Sequence, residues 1–238
     1  MIPKKIHYIW LGKNKKSKLT ELCINTRRRK LPDYEIIEWN EENVHLHEIC
    51  KNNKFIAKCI QLKLWAFVSD YIRVKILYEH GGIYLDTDVE VLKSFDLLLQ
   101  NQCFLGLEED EYICTAVIGS EKGNPFIKRI LDFYDSDIWD VNFINNPIIF
   151  KHVLNESDEL RKSISVYPID YFSPYSMKQN GNKTVETVNT FAVHWFTANW
   201  NMSRKGFVFI NTKHIKNPIK KMFVSFKKSF GYLLRKVH

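Results

Sequence analysis

The sequence predicts an α/β fold, a single domain with a mixed central sheet, followed by a basic amphipathic helix at its C-terminal end. Three observations predict it. The chain opens strand–helix–strand, the way a sheet with parallel strands begins. A long stretch with apolar residues near helical spacing stops at Gly81-Gly82 and passes directly into strand-like alternation. Beyond Met202 there are ten Lys or Arg and no Asp or Glu, interleaved with apolar residues at helical spacing. A chain of 238 residues suits one large domain or one domain with an appendage.

The elements follow in order. Residues 5–11 alternate Ile6, Tyr8 and Trp10 against His7, Ile9 and Leu11, a first strand broken by Gly12. Ser17 is placed to cap a helix carrying Leu19, Leu22, Cys23 and Thr26, which Pro32-Asp33 closes. Residues 34–39 form the second strand. One long helix is expected over 55–80, then a strand through Gly82-Ile83-Tyr84-Leu85-Asp86-Thr87-Asp88-Val89-Glu90-Val91. Short strands are expected over 103–107 and 114–118, a helix from Asn124-Pro125 to Tyr134, and an irregular polar stretch over 135–146. A helix over 148–154 and strands over 166–169 and 192–195 complete the domain, with a loop around Gln179-Asn180-Gly181-Asn182. The domain is expected over 1–203 and the basic tail over 204–238.

Composition narrows the class. Hydrophobic residues at 45% and aromatics at 14% supply a packed core and exclude a disordered chain. Five scattered cysteines without a C-x-x-C pair fit a reducing cytosol better than a disulfide framework or a zinc site. No signal peptide or membrane-spanning run stands out, so a cytoplasmic protein is expected. The net charge of +8 resides in the tail; the remainder carries 25 basic against 27 acidic residues. A nearly neutral body gives no support to nucleic-acid binding.

The chemistry concentrates at Asp86-Thr87-Asp88. On a continuous strand, Tyr84, Asp86, Asp88 and Glu90 would share one face while Ile83, Leu85, Val89 and Val91 face the core. Neighbouring carboxylates repel unless a cation lies between them. Mn2+ or Mg2+ held by one or two carboxylates commonly carries substrate phosphates, so the substrate class indicated is a diphosphate. Asp70 and Arg73, one helical turn apart, can pair or reach the same ligand. An EF-hand loop is excluded because Glu90 and Val91 stand where an Asp or Asn and then a Gly are required. A phosphohydrolase with Asp86 as nucleophile stays open, since Asp86-Thr87-Asp88-Val89 also fits D-x-D-x-[TV], and so does a catalytically inactive binder. Trp10, at the end of the first strand, can stack on a base or serve as a rim aromatic. His194 in the run His194-Trp195-Phe196-Thr197-Ala198-Asn199-Trp200 suits Mn2+ if it lies beside the two acids.

Three segments carry a family resemblance: residues Ile2 to Gly12, Ser69-Asp70-Tyr71-Ile72-Arg73, and Leu77 to Asp88. Together they resemble glycosyltransferase family 32, sugar transferases containing a DXD motif. Its members include yeast α-1,6-mannosyltransferases and bacterial capsular and lipopolysaccharide enzymes. The core is also similar to the glucosylating domain of large clostridial toxins. The resemblance is dense over 2–92, with a second island over 194–200. It implies a GT-A type, Rossmann-like fold, a nucleotide-sugar donor with UDP favoured, Mn2+ or Mg2+, and transfer with retention to a glycan or lipid-linked acceptor in bacterial surface polysaccharide synthesis. On matching positions it implies Trp10 stacked on the base and Ile9 and Leu11 lining its pocket. Asp70 and Arg73 would hold donor-sugar hydroxyls, with Tyr84 supporting the sugar or the diphosphate. Asp86 would contact sugar or ribose and reach the metal through water, and Asp88 would bind the metal directly. His194 or Asn199 would complete the metal shell, and Trp200 would close over the leaving diphosphate.

The tail has two readings. From Pro218 onward Ile219, Met222, Phe223, Phe226, Phe230, Leu233, Leu234 and Val237 recur at helical spacing among lysines. Such a helix suits the cytoplasmic face of an anionic membrane, as a peripheral attachment, or else it packs on the domain with its charges solvated.

Overall fold

A computed structural model describes residues 1–108, 112–175, 186–197 and 202–235. The expected opening is present: β1 (Lys5–Ile9), α1 (Lys18–Lys30) and β2 (Glu35–Trp39), with β1 and β2 parallel in the register Ile6 to Ile36. Ser17 caps α1, its hydroxyl accepting from the Thr20 N–H. A short helix that the sequence pattern did not disclose, α2 (Leu46–Asn52), follows.

The long helix expected over 55–80 is two helices, α3 (Lys54–Gln61) and α4 (Trp65–His80). The break lies at Lys63, whose φ of 56° is left-handed, and it turns Leu64 into the core. Leu64 meets Gly206 there, where a Cβ would come within 2.7 Å of the Leu64 Cδ2. The apolar spacing survives such a break, which is why periodicity alone reads through it.

Gly81 and Gly82 end α4 and start β3 (Gly82–Leu85) with φ of 64° and 106°. A side chain at Gly82 would strike the His7 ring and the Lys5 carbonyl, each at 2.8 Å, so glycine lets β3 lie close beside β1. The strand then stops. Asp86-Thr87-Asp88 forms a turn in which the Val89 N–H donates to the Asp86 carbonyl at 3.0 Å, and β4 (Val89–Val91) leaves the main sheet. The expectation of one continuous strand is therefore corrected. Ile83, Leu85, Val89 and Val91 do enter one core, whereas Tyr84 enters the other, so the face prediction holds for the apolar side.

The remaining elements are β5 (Cys103–Glu108), β6 (Tyr112–Ser120), α5 (Pro125–Asp135), α6 (Asn146–Leu154), α7 (Asp158–Lys162), β7 (Ile164–Tyr167), β8 (Ala192–His194), α8 (Arg204–Thr212) and α9 (Pro218–Arg235). The six-stranded sheet runs β2-β1-β3-β6-β5-β7 and is mixed: β1 is parallel to β2 and β3, while β6 is antiparallel to β3 and β5. β4 pairs with β8 in a separate antiparallel ribbon that sets Val89 opposite His194. Two cores flank the sheet. One gathers α3, α4, α5 and α6; the other gathers Phe95, Phe104, Phe172 and Phe191 with the valines of β4. The loop expected around residues 179–182 lies outside the described residues.

Candidate active site

The site grows from the end of β3 and the inner side of α4. Arg73 projects from α4 toward the sheet and is buried with Asp70, one turn before it. Its Nη2 lies 2.9 Å from Asp70 Oδ1, and its Nη1 lies 3.2 Å from Asp86 Oδ1 and donates to the Thr115 carbonyl at 2.7 Å. The guanidinium sits 4.6 Å from the centre of the Tyr84 ring, and the Tyr84 hydroxyl donates to Asp86 Oδ1 at 2.7 Å. One cation thus serves two carboxylates, the buried Asp70 and the partly exposed Asp86, and a buried charge of this kind is tolerated only when paired.

The electrostatics follow from that arrangement. Burial pushes the Asp70 carboxyl up to about 7, against the pull of the Arg73 guanidinium. Burial works to lower Arg73, but Asp86, Tyr84 and Asp70 outweigh it and raise it. Asp70 Oδ2 has no hydrogen-bond partner among the described residues. It is an acceptor left over in a buried place, the kind of atom a sugar hydroxyl satisfies.

Asp88 belongs to the same turn but has different company. Its Oδ2 accepts from both the N–H and the hydroxyl of Thr197, each at 2.8 Å, and its Oδ1 lies 3.6 Å from His194 Nε2. The β4–β8 ribbon creates this meeting: register puts His194 beside Val89, and the Trp195 N–H donates to the Asp88 carbonyl at 3.1 Å. Burial lowers the His194 pKa despite the nearby Asp88 and Asp86, so the ring is neutral at pH 7 and its nitrogens can bind a metal.

Ligand atoms of Asp86, Asp88 and His194 all lie within 4.8 Å of one another. Arg73 pairs with Asp86, whereas among the described residues Asp88 meets only Thr197 and a neutral imidazole and no lysine or arginine. Two carboxylates and one imidazole fit a hard or borderline divalent ion such as Mn2+ or Mg2+. A second trio, Glu108, Cys114 and His194, shares the imidazole. Burial pushes the Cys114 thiol up to about 12, which keeps it protonated and a poor ligand at neutral pH.

Of the residues named from the sequence, the structure brings Asp70, Arg73, Tyr84, Asp86, Asp88 and His194 together. Trp10 follows β1, whose parallel register with β3 puts it at the same C-terminal end of the strands as the DXD turn, and it lines a cleft of about 490 Å³ with Lys16, Glu38 and Glu41. Its Nε1 donates to the Asn14 carbonyl, and its ring lies 5.6 Å from Lys16 Nζ. Ile9 is buried and Leu11 packs beside it in the first core. Asn199 and Trp200 lie outside the described residues.

Three residues escaped the sequence reading. Arg27, fully buried on α1, donates from Nη2 to the carbonyls of Asp86 at 2.5 Å and Val89 at 3.4 Å and so pins the turn. Nothing in the run Arg27-Arg28-Arg29 marks the first as the inward one except its place one residue after Thr26, whose hydroxyl accepts from the Val91 N–H. Thr197 lay inside the noted His194 cluster without a role. Glu108, whose Oε2 is 3.8 Å from His194 Nδ1, has no sequence signal beyond its position at a strand end.

Comparison with known proteins bears on this site. Residues 17–105 match the family described as "Glycosyltransferase sugar-binding region containing DXD motif". Inositol phosphoceramide mannosyltransferase 3 of Schizosaccharomyces pombe is 29% identical over 133 residues, 55% of this chain and 36% of that protein. The chain therefore spans about a third of that relative's length. An uncharacterized glycosyltransferase of Acanthamoeba polyphaga mimivirus is 23% identical over 217 residues, covering 84% of each. A solved structure titled "PaToxG Glycosyltransferase" superimposes on 68% of this chain and 73% of its own with a TM-score of 0.52, at 19% identity, a likeness of fold. The match over residues 17–105 is to a DXD sugar-transferase region, and the mixed α/β fold around it is of the GT-A type.

Proposed function

We propose, from the DXD region and the GT-A type fold, that the protein is a metal-dependent glycosyltransferase. It moves a hexose from a nucleotide sugar to a glycan or lipid-linked acceptor. The single observation carrying this reading is the cluster of Asp86, Asp88 and His194, in which Asp88 has no lysine or arginine partner among the described residues. We place the chain in glycosyltransferase family 32, with a core like that of the clostridial glucosylating toxins. The support is the segments 2–12, 69–73 and 77–88.

Asp88 and His194 would hold Mn2+ or Mg2+, with Asp86 beside them. A bound divalent ion supplies charge stabilisation to the departing diphosphate. The chain's own groups do the rest. Thr197 fixes Asp88 in one rotamer through two hydrogen bonds. Arg73 holds Asp86 and Asp70 in a fixed frame, leaving Asp70 Oδ2 as an acceptor for a donor hydroxyl. Tyr84 orients Asp86 from below. We assign transfer with retention: the acceptor hydroxyl attacks from the side of the leaving group and gives its proton to the departing phosphate oxygen. No protein base is then required. Trp10 is assigned to the nucleotide base and UDP to the donor; the mannosyltransferase among the relatives makes GDP-hexoses the comparison to run beside it.

A phosphohydrolase would need Asp86 free to attack phosphorus. Both Asp86 oxygens face Arg73, and Oδ1 also takes the Tyr84 hydroxyl, which weakens it as a nucleophile. The test is a donor screen: UDP- and GDP-hexoses with Mn2+, read as nucleotide release with and without saccharide acceptors. Release from one donor class that chelator abolishes supports the reading. Phosphate release from simple esters with no turnover of any nucleotide sugar would overturn it.

A further inference from the structure

α9 is amphipathic in the inverted sense: its apolar stripe points away from the protein. Met222, Phe223, Phe226 and Phe230 are 71%, 75%, 77% and 58% exposed. The side turned inward carries Val224, Ser225, Lys228 and Tyr232, all half-buried. Tyr232 secures the helix, its ring tilted against Phe207 of α8 at 5.5 Å between centroids and its hydroxyl donating to the Met202 carbonyl at 2.6 Å. α8 in turn is rooted in the domain. Ile210 is buried in the first core, Phe209 packs against Phe55 and Trp139, and Lys213 donates to the Val141 carbonyl at 2.6 Å. The orientation of α9 is therefore set by packing, and the outward stripe is not a helix awaiting its own core.

At 100° per residue the exposed apolar positions 219, 222, 223, 226, 230, 233 and 234 fall within an arc of about 120°. Lys220 and Lys227 lie at its border, seven residues apart and thus on one flank. Neither pairs with an acid among the described residues, and the chain holds no acid beyond Met202. An apolar stripe of this breadth on an exposed helix marks an interaction surface.

We propose that α9 docks the protein on an anionic lipid surface, lying in the plane of the interface with the phenylalanine stripe among the acyl chains and Lys220 and Lys227 at the headgroups. Charge complementarity selects this occupant. A second copy packed antiparallel on the stripe by two-fold symmetry would bring Lys220 and Lys227 beside their own counterparts, and in neither the antiparallel nor the parallel arrangement would the lysines meet an acid of α9. Nucleic acid would satisfy the lysines but leave the phenylalanines in water. Among the described residues no helix is long and apolar enough to cross a membrane, so α9 is assigned to lie on the surface. The inference does not depend on the catalytic reading, and its test requires no turnover.

The test is co-sedimentation of the full chain with phosphatidylcholine vesicles, with and without phosphatidylglycerol. Two variants accompany wild type: Phe223→Glu with Phe226→Glu, and Lys220→Gln with Lys227→Gln. These four side chains are exposed, and thermal melts confirm that each variant folds. Wild type is expected to sediment with the anionic vesicles at least about tenfold better than with neutral ones. The phenylalanine variant should lose binding to both, and the lysine variant should lose its preference for anionic lipid. Equal binding by wild type and the phenylalanine variant, or no binding to either vesicle, overturns the proposal. So does a wild-type dimer in sedimentation velocity that the phenylalanine variant dissolves, or oligonucleotide binding that survives where lipid binding is absent.

Discussion

Asp88 accepts two hydrogen bonds from Thr197 on one oxygen, from the backbone N–H and from the hydroxyl, both at 2.8 Å. This contact joins the DXD turn to a segment more than a hundred residues later. It fixes one carboxylate oxygen and leaves the other toward His194. Thr197→Val keeps the branched shape and the N–H but removes the hydroxyl. It is expected to cost about 1 kcal/mol of stability and to raise the Mn2+ concentration needed for half-maximal donor turnover. Unchanged metal dependence would separate Thr197 from the metal centre.

Asp88→Asn removes the carboxylate charge of the cluster that has no lysine or arginine partner among the described residues, while keeping the side chain's shape. Turnover of the nucleotide sugar should fall by about a hundredfold or more. The melting temperature should hold or rise, because two neighbouring acids become one. Retained turnover, or an unfolded variant, would contradict the role given to Asp88.

Arg73→Met leaves Asp70 and Asp86 without their shared cation. Breaking a buried pair from one side typically costs about 3–5 kcal/mol, so urea unfolding should shift by an amount in that range. Asp70→Asn should cost less, because burial already pushes Asp70 toward its neutral form, up to about 7. Equal losses from the two variants would show that the guanidinium is not the centre of the network.

His7 supplies a pH dependence away from the site. Trp39 Nε1 donates to His7 Nδ1 at 3.1 Å, and His7 Nε2 donates to the Gly81 carbonyl at 2.8 Å, so both nitrogens are used by the neutral ring. Burial lowers its pKa from 6.5 to about 4. A folded pKa below the unfolded one means the stabilisation is complete above pH 6.5 and is lost as pH falls toward 4. The loss is on the order of 3 kcal/mol across that window. His7→Gln should flatten the acid limb of stability measured by denaturant titration between those pH values; an unaltered slope would assign the acid sensitivity to another group.

Much of this was legible in the chain. The strand–helix–strand opening, the Ser17 cap and the two glycines before β3 are local signals, read from neighbours. Asp70 with Arg73, and Asp86 with Asp88, are close in sequence and met as expected. What a sequence does not print is long-range register. His194 was named, but its place beside Asp88 comes from the pairing of β8 with β4, and Arg27, which was missed, turns inward only because α1 lies against that ribbon. The turn at Asp86 was hidden because Ile83, Leu85, Val89 and Val91 keep the alternation of an unbroken strand on both sides of it. The break at Lys63 was hidden likewise, since apolar spacing resumes after it.

The most direct test is calorimetric titration of Mn2+ into the full chain, with UDP present, for wild type and Asp88→Asn. Wild type is expected to bind one ion, and the variant to lose that binding while remaining folded. Binding of equal strength in both proteins, or none in wild type, would contradict a metal centre at Asp86, Asp88 and His194.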